Sequence, residues 1–296
     1  MEIQLSLQEN KLTKKVKVII PCAGEGTRIK DLSHDIPKSL IKIASLDNIP
    51  IIDHLIISLG KFGIQKIIII KGHLGYQLEG HIKSLIKGNV SLRKKLILID
   101  SGLEYKKGPL YSFLSIVKND EVFRKNNLYF LFPCDTVFEI RLIKEIFNIS
   151  AQNLKKIKKF PTLFYKEIDK TFINQKYQDP SRTSLKSFSI IKNIKKGRDH
   201  LLKKIIKTES QKISNYSIKL MIPVLILNYH SVKKIVEIST LLPIKTISEA
   251  LNFMIERRNK ILTYSVNPDF EFYDIDDKFD LMMLNKKKKV DNSSFE

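Results

Sequence analysis

The sequence predicts an α/β chain, a mostly parallel sheet with helices on both of its faces. Three observations carry this. Short β-branched runs alternate with helix-periodic stretches through the first half, in β-α-β-α order. Two runs, residues 66–70 and 96–99, are apolar almost without interruption, as in strands buried on both faces. Gly or Pro marks most of the junctions between them.

Taken in order, residues 16–21 form a β-branched strand that runs into a Gly-rich turn. Residues 51–62 carry apolar side chains at helical spacing and stop at Gly63. The strand 66–70 follows, then a helix over 74–87 stopped by Gly88, then the strand 96–99. Residues 109–118 read as a helix with Pro109 in its first turn. The strand 128–132 closes on Pro133-Cys134-Asp135. Beyond residue 150 the pattern weakens. Strands are expected at 162–165, 185–191 and 219–227, with Lys-rich stretches between them and a strand-like run at 201–206. A helix over 246–258, capped by Thr246 or Ser248, precedes a strand at 261–266 and an acidic segment at 269–280.

Composition narrows the function. The chain has 296 residues, 43% of them hydrophobic, which suffices for a sizeable core and excludes a disordered chain. No apolar run approaches the ~18 residues of a membrane span. Residues 1–15 lack the apolar stretch of a signal peptide. Two cysteines, Cys22 and Cys134, cannot build a disulfide framework, so a reducing cytoplasm is the expected location. The formal net charge is +21, yet 44 of the 52 basic residues are Lys and only 8 are Arg, beside 45 Ile. Arg is the preferred side chain for bidentate contacts to phosphate and guanine, so this balance reads as compositional bias and not as a nucleic-acid footprint. Residues 1–150 carry +8, residues 151–220 carry +13 and residues 221–296 carry zero.

The most informative segment lies between Val18 and Lys38. A strand ends in Ala23-Gly24-Glu25-Gly26-Thr27-Arg28. The glycines allow a sharp turn and close approach of backbone to ligand, and successive N–H groups in such a loop form an anion-binding concavity. Arg28 adds a planar fork suited to phosphate oxygens, and Lys38 follows Pro37 as a second positive charge. A dinucleotide fingerprint would need a third Gly where Ile29 stands, and a P-loop would need Gly-Lys-Ser/Thr. Six scattered histidines lack metal-ligand spacing, and no nucleophile triad is evident. Cys22 and Cys134 read as small packing residues.

The run from Pro21 to Arg28, followed by Pro37-Lys38-Ser39-Leu40, resembles the signature of the sugar-phosphate nucleotidylyltransferases. The gap between the two parts has the family's length, and the likeness continues through Pro50-Ile51-Ile52-Asp53 and the strand ending at Gly72. It covers residues 16–140 well, 246–284 fairly well and 151–245 only loosely. It implies a Rossmann-like three-layer α/β/α sandwich with a mostly parallel mixed sheet, the nucleotide-diphospho-sugar transferase fold. It further implies a nucleotide-binding half (15–140), an acceptor-binding half (141–245) and a C-terminal metal motif (246–285), between an N-terminal arm (1–14) and a tail (286–296).

The resemblance also implies roles. Residues Ala23, Gly24, Glu25, Gly26, Thr27 and Arg28 would wrap a nucleoside triphosphate, with Arg28 on its β- and γ-phosphates. Lys38 would touch the α-phosphate and the acceptor phosphate. Gly108 would let backbone approach the base, although a plain turn is the alternative. Asp135, at the carboxyl edge of the sheet, would hold Mg²⁺, with a helix cap as the alternative reading. Phe272-Tyr273-Asp274-Ile275-Asp276-Asp277 resembles the ending of cytidylyltransferase-like members. If it is a strand, Asp274 and Asp276 share a face, and Asp276 is the second expected metal ligand, with Asp277 capping the next helix. Lys207 is the expected acceptor-phosphate ligand in the middle segment. The reaction implied is nucleotidyl transfer from a nucleoside triphosphate to a phosphate monoester, a sugar 1-phosphate first and a phosphoalcohol such as phosphocholine or inositol phosphate second. A non-catalytic nucleotide-sensing subunit and a glycosyltransferase of related fold are the rivals. The expected partners are the triphosphate and the phosphorylated acceptor, without nucleic acid, and a homo-oligomer is left open.

Overall fold

Residues 67–70 are four consecutive isoleucines, all fully buried, and they set the architecture. Ile67 and Ile69 pack into a hydrophobic cluster on one face of the sheet, and Ile68 and Ile70 into another on the opposite face. The computed structural model of the chain describes residues 6–26, 35–169, 186–209 and 217–286. Its strands are β1 (Val16–Pro21), β2 (Lys42–Ile43), β3 (Ile49–Pro50), β4 (Ile67–Lys71), β5 (Leu96–Asp100), β6 (Leu128–Leu131), β7 (Thr136–Phe138), β8 (Thr162–Asp169), β9 (Ser187–Lys196), β10 (Asp199–Glu209), β11 (Ser217–Asn228), β12 (Leu262–Ser265) and β13 (Phe272–Asp274).

Nine of these form one sheet in the order β5-β4-β1-β6-β11-β8-β12-β10-β9. The first four are parallel, as are β8 and β12. β11 runs antiparallel between β6 and β8, and β10 antiparallel between β12 and β9. The chain leaves β1 for β4 and β5 on one side and returns to β6 on the other. The carboxyl ends of β1 and β6 therefore flank a switch point, where open α/β sheets bind ligands.

Helices Ile51–Gly60, Gly75–Lys87 and Pro109–Leu114 fall close to expectation, the last tightening into a 3₁₀ turn over Ser115–Lys118. The helix Ile247–Glu256 is capped by Thr246, in a capping box with Glu249. The N-terminal arm is in part a helix, Leu7–Thr13, closed by a second capping box between Ser6 and Glu9. It packs on the helix Ile140–Gln152 through the fully buried Leu12. Phe147 of that longer helix stacks on Phe62 with ring centroids 5.2 Å apart and on Phe130 at 5.3 Å.

β11 has twelve residues and its register with β8 shifts between Ile222 and Leu225, at Pro223. Pro cannot donate to the ladder, so it sits at the bulge. Bent there, β11 pairs with β6, β8 and, at Leu220, with β9. A small third cluster joins Ile41, Ile43, Ile51, Val137, Ile275 and Leu284, and anchors the acidic C-terminal turn beneath the site. Among the described residues, no helix is long and apolar enough to cross a membrane.

Candidate active site

The loop after β1 is fixed by its neighbour strand. Cys22 donates its N–H to the carbonyl of Ile70 at 2.8 Å, and the Ala23 carbonyl accepts from His73 at 3.1 Å. Gly72 makes the approach feasible, because a Cβ there would meet the Ala23 Cβ at 2.7 Å and the Ser101 Oγ at 2.9 Å. Gly26 has φ +60°, the left-handed conformation that favours glycine. Ala23, Gly24, Glu25 and Gly26 line a cleft of ≈ 550 Å³ with Lys38, Asp135 and Asp276. Thr27 and Arg28 lie outside the described residues.

Lys38, at the head of a 3₁₀ turn set by Pro37, sends its ammonium into this cleft. Its Nζ donates to Asp135 Oδ2 at 2.6 Å and lies 3.5 Å from Asp276 Oδ1. Burial pulls its pKa down, but Asp135 and Asp276 outweigh burial and the net shift is upward, so it stays charged. Asp135 follows β6 and leads into the short β7, so it caps no helix. β7 pairs antiparallel with β13, bringing Asp274 opposite Thr136, and the Ile275 N–H donates to the Asp135 carbonyl at 2.9 Å. That pairing joins two acids 141 positions apart around one ammonium.

Asp274 and Asp276 do not share a strand face, which corrects the expectation. β13 ends at Asp274 because only three residues find partners on β7. The Thr136 hydroxyl donates to Asp274 Oδ1 at 2.5 Å, and burial pushes this carboxyl up to about 6 against the pull of Lys186 and Thr136. Asp276 lies beyond the strand and turns to the cleft. Asp277 caps the following helix, accepting from the Asp280 N–H at 2.9 Å.

Sequence reasoning missed Lys186. Its side chain is only 4% exposed, and its Nζ donates to Asp280 Oδ2 at 2.7 Å and to the Asp274 carbonyl at 2.9 Å. Asp276 Oδ2 lies 3.5 Å from the same nitrogen. One lysine among the 18 basic residues of 151–220 gives no local signal.

Lys207 lies on β10 opposite Ser189 and lines a second cavity of ≈ 180 Å³ with Lys186, Pro223, Phe272 and Asp276. Asp276 borders both this cavity and the larger cleft. Gly108, with φ +127°, is required by packing, because a Cβ would stand 2.8 Å from the Lys245 carbonyl. Its neighbours Tyr105, Pro109 and Ser112 line the cleft. Both cysteines are free and border the cleft, and burial, followed by Cys134, pushes the Cys22 thiol well up, so it is an inert packing group.

The donor set suits a hard divalent cation. Asp135 and Asp276 already converge on one cationic group, and Mg²⁺ is commonly held by one or two carboxylates together with substrate phosphates. Among the described residues no three His, Cys, Asp or Glu gather to hold a metal, so the protein alone offers no closed cage.

The family model for nucleotidyl transferases matches residues 17–167, just over half of the chain. The chain belongs to the nucleotidyl transferase family. As a nucleotidyl transferase it is an enzyme, and the matched segment contains the Gly-rich loop, Lys38 and Asp135. No curated protein matches it. Among solved structures it is similar to UDP-glucose pyrophosphorylase complexed with UDP-glucose, at 15% identity and TM-score 0.64, over 91% of this chain and 96% of that one. It is similar to the inositol-1-phosphate CTP transferase from T. maritima, at 17% identity and TM-score 0.62, over 94% and 97%. It is also similar to CTP:phosphocholine cytidylyltransferase from Streptococcus pneumoniae, at 18% identity and TM-score 0.58, over 92% and 98%. At these identities the likeness establishes the nucleotide-diphospho-sugar transferase fold.

Proposed function

We propose that the enzyme transfers a nucleoside monophosphate from a nucleoside triphosphate to a phosphate monoester, most simply a sugar 1-phosphate, and releases pyrophosphate. The observation that carries this reading is the meeting of Lys38, Asp135 and Asp276 where the cleft behind the Gly-rich loop adjoins the Lys207 cavity. The loop 23–26 offers backbone N–H groups to the triphosphate, and Arg28 extends that contact to its outer phosphates. Lys38 neutralises the α-phosphate and the incoming acceptor phosphate. Lys207 grips the acceptor phosphate from the other side. An oxygen of the acceptor phosphate attacks the α-phosphorus in line. The new P–O bond forms as the bond to the β-phosphate oxygen breaks, and pyrophosphate leaves with the electron pair. The attacking phosphate is already ionised at neutral pH, so no general base is needed, and positioning with charge neutralisation supplies the catalysis. Mg²⁺, held by Asp135 and Asp276 with the phosphates, would offset the repulsion between the two anions.

A phosphoalcohol acceptor with CTP is the second reading. The Asp274-Ile275-Asp276 ending supports it, as do the two neighbours that are CTP transferases for inositol 1-phosphate and phosphocholine. The free cysteines fit a reducing cytoplasm. Pyrophosphate release across four triphosphates against glucose 1-phosphate, inositol 1-phosphate and phosphocholine, with Mg²⁺, tests both readings. One productive pair is expected, its acceptor deciding between them, and no release with any pair sinks the proposal.

A further inference from the structure

Asp276 is held between two ammonium groups, and they divide its oxygens. Oδ1 faces Lys38 in the cleft, and Oδ2 faces Lys186 behind it, each at 3.5 Å. Lys186 directly precedes β9 and lines the smaller cavity, with its side chain only 4% exposed. Its ammonium is engaged by the acidic segment. It donates to the Asp274 carbonyl and to Asp280 Oδ2, and Asp276 Oδ2 pairs with it at 3.5 Å. Asp280 Oδ2 in turn accepts the backbone N–H of Asp276 at 2.8 Å and of Asp277 at 3.3 Å. The turn carrying Asp276 is thus wound around the Lys186 ammonium through two hydrogen bonds and an ion pair.

The segment 269–280 holds six carboxylates, and closely packed like charges repel. The buried Lys186 ammonium draws three of these residues inward and leaves Asp276 Oδ1 facing Lys38, which also holds Asp135. Resting on the reading of Asp135 and Asp276 as cation ligands, we propose that Lys186 is a positioning residue. It orients the Asp276 carboxylate so that the two-carboxylate site is formed before any ligand arrives. In this role Lys186 acts through Asp276 and not on substrate, its ammonium being held by Asp274, Asp276 and Asp280. Outer partners of metal ligands typically change metal affinity by about 10–100-fold when removed.

The test is Mn²⁺ titrated into the protein alone, read by the free-ion EPR signal, for wild type, Lys186→Met, Asp276→Asn and the double variant. Lys186→Met keeps the aliphatic stem and is expected to weaken Mn²⁺ binding about tenfold or more. In the Asp276→Asn background it is expected to add nothing, because it acts through Asp276. In turnover, Lys186→Met should raise the half-saturating Mg²⁺ concentration by a similar factor and leave the acceptor KM unchanged at saturating Mg²⁺. Wild-type Mn²⁺ binding by Lys186→Met, with Asp276→Asn impaired, overturns this proposal alone. A raised acceptor KM with unchanged Mn²⁺ binding also overturns it, in favour of direct phosphate contact. Wild-type binding by Asp276→Asn sinks the underlying metal reading as well. Should Lys186→Met fail to fold, Lys186→Arg keeps the charge but not three convergent donors. It is expected to weaken Mn²⁺ binding about threefold, and a wild-type value overturns the proposal.

Discussion

The two ends of the sheet are built differently. At the β5-β4-β1-β6 end the strands are four to six residues long, and β4 and β6 bury nearly every side chain. At the β10-β9 end the strands run to ten and eleven residues, and of β10 only Leu202 and Ile205 are fully buried. The first region has helices on both faces and is determined by the hydrophobic effect acting on a local pattern. The second exposes one charged side chain after another and owes its register to the β9–β10 hairpin, which is tied to the rest of the sheet through single pairs, Leu201 with Leu262 and Ile190 with Leu220. The proposed site sits on the seam. Asp135 comes from the dry region, Lys186 and Lys207 from the wet one, and the β7–β13 pair ties Asp276 between them.

If that contrast is real, stability should reside in the first region. Phe147→Ala removes a ring stacked against Phe62 and Phe130, and is expected to cost about 4 kcal/mol in denaturant melts. Ile194→Ala in β9, where the side chain is 49% exposed, should change stability by less than about 0.5 kcal/mol. Comparable losses at the two positions would break the comparison.

A pH titration of stability sharpens it further. His54, in the helix Ile51–Gly60, is buried, and burial together with Lys61 lowers its pKa from 6.5 to about 4. The unfolded chain therefore binds more protons than the folded one between those values. Stability should fall as pH drops through 6.5 and lose about 3 kcal/mol by pH 4. His54→Leu should flatten that window in thermal melts taken across it, and an unchanged slope would show that the helix is wetter than its burial implies.

Smaller effects should separate the two substrates. Gly72→Ala forces its Cβ against Ala23, so the KM for the triphosphate should rise about tenfold, an effect of roughly 1–2 kcal/mol, with the acceptor KM unchanged. Lys207→Ala should do the reverse to a lesser degree, raising the acceptor KM about fivefold, as for one exposed charge contact. Initial-rate kinetics with each substrate varied in turn distinguishes the two patterns.

The same division governs what can be read from the sequence. The run Ile67–Ile70 announces a strand buried on both faces, and Ala23 to Gly26 and Asp135 follow strands while Lys38 opens a 3₁₀ turn behind Pro37, places where a local pattern suffices. The Asp274–Asp276 alternation misled because β13 stops after three residues, when β7 runs out of partners and Asp277 starts a helix. The helix at 7–13 escaped notice because it is short and fixed mainly by Leu12 and a capping box. Lys186 was invisible for a different reason. Its partners are Asp274, Asp276 and Asp280, some ninety residues later, and only the folded turn makes it unlike the lysines around it.

On the proposed mechanism, nucleotidyl transfer occurs where Asp135 and Asp276 meet Lys38. This is tested most directly by single-turnover pyrophosphate release from the productive pair of substrates, wild type against Asp135→Ala, at matched thermal stability. Removal of one charged group from such a centre predicts a loss of at least about a hundredfold in rate. Release at the wild-type rate would place the reaction elsewhere than at Asp135.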